Sequence, residues 1–457
     1  MATGIAVGVP GGHELDALRA LGDEPADDAI AYWHREHGAK SLPRLAEHLV
    51  GSDFPSEIDD LLQVLSAGHE ACGATLDPRR RGPEGACSPG DLRVAQRIFE
   101  EHGLKILLIL ASYALPSAYA AQHGVRVLHS DHGSTGYFVR DLSRRLIETA
   151  QFVIDIFADG GMRIEPGTSC GDQGNAIRTL LRVRLLHAVV RALIEGHREG
   201  RAWDAATFGK PVNQEDLAGT LMTFSWLTLD GLEKLHVGLA PHEAEAYFKV
   251  WKHVGSLMGV QIIPDTPADA EALTALIKER QVDAPIRDGS RNHHGIELTR
   301  ALLDFMRKSL PIPLRWTRLP EALMRFFLPA APQDVPASLG IRRTPVLLPL
   351  VRLFVFLEAK LAKYRLFQAI NRLIYVEWNQ RDPRALTLLQ FSRGMGRRVL
   401  RRAAQADRNA TLVDAHRPPF DLRGWEQRWG LRQANPLTRG ARAVRQYVTG
   451  QPFRPRP

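Results

Sequence analysis

The sequence predicts an all-α protein, and three observations lead to that prediction. Apolar residues recur at three- and four-residue spacing through most of the 457 residues, which is the period of an amphipathic helix. Several of these segments begin with proline, at Pro89, Pro241 and Pro267, as is common at the first position of a helix. Runs that alternate β-branched with polar residues, the pattern of a half-buried strand, are scarce.

The predicted elements follow from this periodicity and from the glycine and proline clusters between them. Helices are predicted at residues 43–50, 57–67, 89–102, 139–157, 176–195, 213–239, 241–257, 267–279 and 346–361. Asp91 and Glu243 fall in the first turns of two of them, where a carboxylate is favourable. The apolar run at 104–121 carries Lys105 and Pro116, and we interpret it as a buried or interfacial helix rather than a membrane span.

The charge distribution divides the chain into two unlike parts. The net charge of +8 conceals a basic end, because residues 360–457 hold 21 Lys and Arg against 6 Asp and Glu, a net of +15. The other 359 residues hold 38 basic and 45 acidic residues, a net of −7. We therefore predict one large helical domain at 15–335 and a helical, basic, partly amphipathic C-terminal extension at 340–457.

Composition narrows the class of protein. With 44% hydrophobic and 24% charged residues, the chain is globular rather than disordered or fibrous. Three cysteines without a C-x-x-C pair favour a reducing compartment. The first residues lack the basic and apolar regions of a secretory signal, so we expect a cytoplasmic protein. Neither a nucleophile elbow nor a dinucleotide fingerprint is present.

The predicted helix 176–195 carries three polar residues on one face. Arg184, His187 and Arg191 stand at i, i+3 and i+7 among leucine, valine and alanine. A histidine between two arginines on an apolar helix suits an axial haem ligand whose neighbours reach the anionic propionates. A core histidine with two solvated arginines is the alternative.

A second polar face lies on the predicted helix 139–157. Arg145, Glu148 and Thr149 stand at i, i+3 and i+4. If these groups are buried they need partners, which a cofactor between this helix and the histidine helix would provide. An ordinary amphipathic stripe facing water explains the spacing equally well.

Five stretches, in order along residues 15–330, resemble one family. They are Leu21-Gly22-Asp23-Glu24-Pro25-Ala26-Asp27, Arg145-x-x-Glu148-Thr149, Arg184-x-x-His187-x-x-x-Arg191, Gly209-Lys210-Pro211-Val212-Asn213-Gln214-Glu215-Asp216 and Tyr247-x-x-x-Trp251-x-x-x-Gly255-x-x-x-Gly259-Val260. Together they resemble the MpaB/rubber-oxygenase (latex-clearing protein) catalytic domain family of all-α haem b oxygenases.

The resemblance implies a function and roles for these residues. It implies a haem b-dependent oxygenase that activates O2 to oxidise or cleave a hydrophobic substrate. His187 would be the proximal iron ligand, Arg184 and Arg191 would bind or support the propionates, and Arg145 and Thr149 would line the distal side. Glu148 departs from the family, since rubber-cleaving members carry a lysine there. A carboxylate suits proton handling, so the departure argues against rubber as the substrate.

The C-terminal extension suggests a separate partner. Its first helix, 346–361, is apolar on nearly all sides, and basic residues alternate with apolar ones beyond it. This pattern suits an anionic membrane surface; a core helix with a solvated basic face is the alternative. Nucleic acid is the least favoured partner, because aromatic residues are sparse among the arginines. A non-catalytic, membrane-associated helical protein is therefore the second functional hypothesis.

Overall fold

A computed structural model describes residues 12–38, 41–50, 87–129, 142–163, 174–196, 203–310 and 314–361. These residues form helices and connecting turns and include no strand, which confirms the all-α prediction. The predicted helix 57–67 lies outside the described residues, as does the extension beyond residue 361.

The helices are numbered in chain order. They are α1 Gly12–Arg19, α2 Glu24–His37, α3 Ser41–Val50, α4 Pro89–Ile109, α5 Leu115–Ala120, α6 Val125–His129, α7 Leu142–Phe157, α8 Asn175–Glu195, α9 Ala205–Phe208, α10 Gln214–Phe224, α11 Trp226–Lys234, α12 Pro241–Leu257, α13 Pro267–Lys278, α14 Ala284–Arg287, α15 His293–Ser309, α16 Leu319–Phe327, α17 Val335–Ser338 and α18 Leu347–Leu361.

The core is organised around α8 and α12. Helix α8 packs against α2, α3, α7 and α12, while α12 also packs along α4. Tyr247, Phe248 and Trp251 of α12 are almost fully buried. Phe157 at the end of α7 stacks on Tyr247, with ring centroids 5.5 Å apart. These aromatic contacts join α7 to α12 in the hydrophobic core that also contains α8.

The helix starts predicted at proline are correct, and side chains cap two of them. Ser88 Oγ accepts a hydrogen bond from the Asp91 amide at 3.1 Å, and the Asp91 carboxylate accepts one from the Ser88 amide at 2.8 Å. Thr266 and Asp269 form the same reciprocal pair at the start of α13. Such capping boxes satisfy amides that have no partner within the helix.

The prediction of one helix over 213–239 is wrong in its middle. The segment forms two helices, α10 and α11, that meet at Ser225. Ser225 leaves the helical region, with φ −92° and ψ −81°, and its Oγ donates to the Leu221 carbonyl at 2.8 Å. A hydroxyl bonded back to the preceding turn bends helices, so the break has a local cause that apolar periodicity does not reveal.

Two π-helical turns, Leu110–Ala114 and Glu279–Asp283, each end two residues before a proline. Pro116 and Pro285 then occupy the first turns of α5 and α14. Proline inside a helix lacks a donor and clashes with the carbonyl four residues earlier. The wider turn relieves that clash, and the helical path from Pro89 continues to Ala120 despite Pro116.

Among the described residues, this helical path from Pro89 to Ala120 is the one helix that is long and apolar enough to cross a membrane. Within its most apolar window, 56% is buried inside the protein. Burial of this extent is what a core helix shows, in agreement with the interpretation of residues 104–121 as buried.

Candidate functional site

His187 lies on α8 and is half-buried. Within the described part of the chain its ring has no hydrogen-bond partner. Burial, and to a smaller extent the charge of Arg191, lower the pKa of His187 to about 4. The imidazole is thus largely surrounded by protein atoms but keeps part of its surface uncovered. A neutral imidazole with an unengaged nitrogen is the form that binds a metal.

Arg184, one turn before His187, forms a buried ion pair with Asp23. Its Nε and Nη2 donate to the two carboxylate oxygens of Asp23 at 2.5 and 2.8 Å. Nη1 donates to the Leu257 carbonyl at 3.2 Å, at the end of α12. Arg184 is 5% exposed and Asp23 3%. The pair joins α8 to the turn before α2, 161 residues earlier in the chain.

Arg191, one turn after His187, forms the matching pair with Asp27. Its Nε donates to Asp27 at 2.8 Å, and Nη1 donates to the carbonyls of Pro211 and Val212 at 3.1 and 2.6 Å. Arg191 is 1% exposed, and its Nη2 is buried without a hydrogen-bond partner among the described residues. Val212 has a positive φ of 52°, a strained conformation for a β-branched residue.

Two glycines allow the backbone to approach these pairs. A Cβ on Gly259 would lie 2.5 Å from Asp23 Oδ2 and 2.9 Å from Arg184 Nε. A Cβ on Gly22 would lie 2.6 Å from Asp27 Oδ2 and 2.9 Å from Arg191 Nε. Gly259 also has a φ of +72°, which favours glycine. The N-terminal and α12 motifs noted in the sequence therefore meet at the arginine pairs of α8.

Helix α7 packs against α8 and contributes the second polar face. Arg145 and Thr149 are half-buried, whereas Glu148 is exposed. The charge of Arg145 lowers the pKa of His187, so the structure brings Arg145 close to His187. Arg145 also acts on Tyr119 of α5, a buried residue whose pKa burial raises to about 12. The sequence did not predict Tyr119 as part of this neighbourhood.

The polar first turn of α10 forms a buried network beside α1. Glu215 is fully buried and accepts from Arg19 at 3.1 Å and from Arg280 at 3.5 Å. Gln214 donates to the carbonyls of Gly22 and Gly259 at 2.7 and 3.0 Å. The turn thus fixes the two glycine segments that hold the arginine pairs, which is a structural role.

Asp216 adjoins this network in an unfavourable environment for charge. The pKa of Asp216 is raised to about 6, mainly by burial; the charge of Arg19 opposes this increase and that of Glu215 adds to it. Asn213 and Gln281 also donate to its carboxylate, at 2.9 and 3.4 Å. Asp216 therefore holds a proton more tightly in the folded protein than in the unfolded chain.

This pKa difference predicts a pH dependence of stability. Below pH 3.8, the ordinary pKa, Asp216 is protonated in both the folded and the unfolded chain and does not oppose folding. This favourable part of the free energy of unfolding is lost as the pH rises through about 6, because the buried carboxyl must then ionise. Asp216→Asn is expected to remove this loss, so that the stability of the variant relative to the parent increases between pH 3.8 and about 6 and stays level above that pH. Urea unfolding at several pH values measures it. Parallel stability curves for the two proteins would contradict the raised pKa.

The donor set suits a cofactor that needs few protein ligands. Within the described residues, no three or more His, Cys, Asp or Glu side chains group as ligands for a bare metal ion. A haem needs only one or two axial ligands, and His187 offers one. The unpartnered Arg191 Nη2 close by offers a donor for an anionic group. The residues present therefore fit a haem.

Fold and site together define a class: a helical protein with a histidine between two buried arginines, each paired with a carboxylate, on a core helix. The family model described as "ER-bound oxygenase mpaB/B'/Rubber oxygenase, catalytic domain" matches residues 103–446. This match covers well over half of the chain, and the chain belongs to that family.

A solved structure has a similar fold. "Structure of Latex Clearing Protein LCP in the closed state" aligns with a TM-score of 0.55 and 20% sequence identity, covering 82% of this chain and 91% of that one. At this identity the likeness concerns the fold. No curated protein matches the chain. Membership of this family implies oxygenase activity, the reaction of O2 with a small-molecule substrate.

Proposed function

We propose that the protein is a haem b-dependent oxygenase that oxidises or cleaves a hydrophobic small molecule with O2. One observation carries the proposal: His187 stands half-buried and without a hydrogen-bond partner in the described chain, between two buried arginines on a core helix. Family membership supports oxygenase chemistry. Bound haem supplies the O2-binding and O2-activating chemistry, which the protein side chains lack.

The residues of α8 would hold the group. His187 is the proposed proximal ligand. Arg184 is engaged by Asp23 and by a backbone carbonyl, which favours support of the ligand helix over contact with a propionate. Arg191 retains an unpartnered Nη2 and is the better candidate for a propionate contact. Because Asp23 and Asp27 neutralise the two arginines, α8 is held in place before any cofactor binds.

The residues of α7 are proposed to serve the other side. Arg145 and Thr149 would line the distal region, with Arg145 close enough to influence His187. Apolar side chains are half-buried on the same two helices: Leu146, Phe152, Val183 and Leu186. Partly covered apolar surface next to a few polar groups is typical of a site for a hydrophobic ligand. A lipid, terpenoid or polyketide side chain is the proposed substrate class.

The absorption spectrum of the purified protein tests this function. We expect a Soret band in protein produced with adequate haem, or after reconstitution of the apoprotein. Spectral shifts on adding hydrophobic compounds would then identify the substrate class. Absence of the band after reconstitution would exclude the oxygenase proposal and favour the non-catalytic, membrane-associated alternative, for which the exposed apolar face of α18 is the specific observation.

Glu148 is proposed to move protons between solvent and the site, as its exposed position on α7 permits. Glu148→Gln is expected to lower turnover with haem content unchanged, by less than the 10²- to 10⁴-fold usual for a general acid or base at the reacting atoms, because water can partly replace an exposed relay. Oxygen consumption and absorbance measure the two quantities. Glu36→Gln, an exposed position on α2, is the matched control. Full activity of the Glu148 variant would remove it from the reaction.

Location forms part of the same proposal. A cytoplasmic protein peripheral to a membrane would meet hydrophobic substrates where they concentrate. Fractionation of cells that produce the full chain, followed by salt extraction of the membrane pellet, tests the location.

A further inference from the structure

Helix α18 is attached to the body of the protein by one narrow face. Val351 and Val355 are buried against the core, where α18 packs on α16. Lys105 of α4 forms an ion pair with Glu358 at 2.7 Å. Two valines and one ion pair, each a turn apart, fix which side of the helix points inward. Because the inward side of α18 is fixed, the direction that each of its other sides faces is fixed as well.

One flank of the helix, roughly a third of a turn round from the two valines, carries large exposed apolar residues. Five positions at i, i+3, i+4, i+7 and i+11 are 42–68% exposed and form one stripe, here called the α18 stripe: Leu350, Leu353, Phe354, Leu357 and Leu361. This spacing places them on one helix face. Exposed apolar residues are ordinary when scattered, but a contiguous stripe marks a contact surface.

The exposed charges on α18 and just before it are basic. Arg342 and Arg343 precede the helix, and Arg352 and Lys360 lie on it; all four are exposed. Lys360 is next to the α18 stripe, with its Nζ 5.3 Å from the ring centroid of Phe356, whereas Arg352 lies on the other flank of the helix. The acidic residue of α18, Glu358, is already paired with Lys105. The exposed part of α18 therefore combines an apolar stripe with an excess of positive charge.

We propose that the α18 stripe docks the protein onto an anionic lipid bilayer. Leucine and phenylalanine would enter the boundary between headgroups and acyl chains, Lys360 would contact anionic headgroups, and the other exposed cations would add a longer-range attraction. Charge selects this partner over two others. A second copy would bring the same cations together, and the chain beyond residue 361 carries its own excess of positive charge. The cations of α18 therefore repel a second copy and the chain beyond residue 361, whereas they attract an anionic bilayer.

Flotation of the full chain with phospholipid vesicles tests the proposal. We expect binding to phosphatidylcholine vesicles that contain phosphatidylglycerol and much weaker binding to phosphatidylcholine alone. Phe354→Glu or Leu357→Glu should each weaken binding about tenfold, because each removes apolar burial and adds a repelled charge. Lys360→Gln should weaken it about fivefold, the equivalent of roughly 1 kcal/mol for a basic residue near the surface.

Tyr32→Glu is the matched control, since Tyr32 is an aromatic residue 53% exposed on α2; this variant should bind as the parent does. Thermal unfolding of each variant confirms that the fold is retained. Unchanged vesicle binding of Phe354→Glu and Leu357→Glu would overturn the proposal, and would assign binding to the basic part of the C-terminal extension beyond residue 361. A dimer in light scattering that these variants dissociate, without loss of lipid binding, would also overturn it in favour of a second copy.

Discussion

His187→Ala protein is expected to lose its haem. The imidazole is the proposed iron ligand, and no other described histidine stands between two buried arginines on α8. Removing groups that merely orient a metal ligand costs 10- to 100-fold in affinity, so loss of the ligand itself should cost roughly 100-fold or more. Soret absorbance per protein, before and after gel filtration, measures haem retention without requiring a substrate.

His102→Ala is the control for this experiment. His102 lies on α4, and burial lowers its pKa to about 4 as well, but its charged neighbours are Lys105, Glu243 and Glu358 rather than the arginines of α8. The His102 variant should keep its haem. Normal retention by His187→Ala, or equal loss from both variants, would contradict His187 as the ligand.

Asp23→Ala is expected to destabilise the protein by about 3–5 kcal/mol. The substitution leaves the Arg184 guanidinium buried without its counter-ion, and breaking one partner of a buried pair carries that order of cost. Guanidinium chloride unfolding followed by circular dichroism measures it. By contrast, Asp304→Ala breaks the exposed pair with Lys308 and should cost less than about 1 kcal/mol.

A double replacement separates the loss of charge balance from the loss of packing. Asp23→Leu with Arg184→Met removes both buried charges, and such apolar replacements often restore stability. We expect the double variant to be more stable than Asp23→Ala. The buried pair does not support α8 as inferred if Asp23→Ala unfolds at the same denaturant concentration as the parent. The same holds if the double variant is less stable than both Asp23→Leu and Arg184→Met alone.

Local pattern predicted the helices well, because helix starts and periodicity are local properties. Proline and its capping partner marked the starts of α4 and α13, and periodicity marked α7 and α8 within a few residues. The break at Ser225 was missed, since a single serine carries no breaking signal of its own. Its effect depends on whether the hydroxyl bonds back to Leu221.

Part of the site was visible in the sequence for the same reason. The spacing of Arg184, His187 and Arg191 places them on one helix face wherever that helix packs. Their partners were not predictable from spacing, because Asp23 and Asp27 precede Arg184 and Arg191 by 161 and 164 residues. The resemblance to the family marked the segment that contains them without indicating which arginine each carboxylate meets.

Tyr119 shows the limit of such reasoning. It lies in an apolar run without a charged neighbour, so nothing in its surroundings distinguishes it from a core residue. Only the packing of α5 near α7 brings it within reach of the Arg145 charge. A site assembled from several helices includes residues of this kind, whose contribution appears only in three dimensions.

The two arginine–carboxylate pairs also bear on what counts as one folding unit. The family match begins at residue 103, yet the counter-ions of Arg184 and Arg191 lie at residues 23 and 27. The segment before the match therefore behaves as a covalently attached ligand of the domain, supplying its charges intramolecularly. The contacts that hold α8 in place thus include residues that precede the start of the family match.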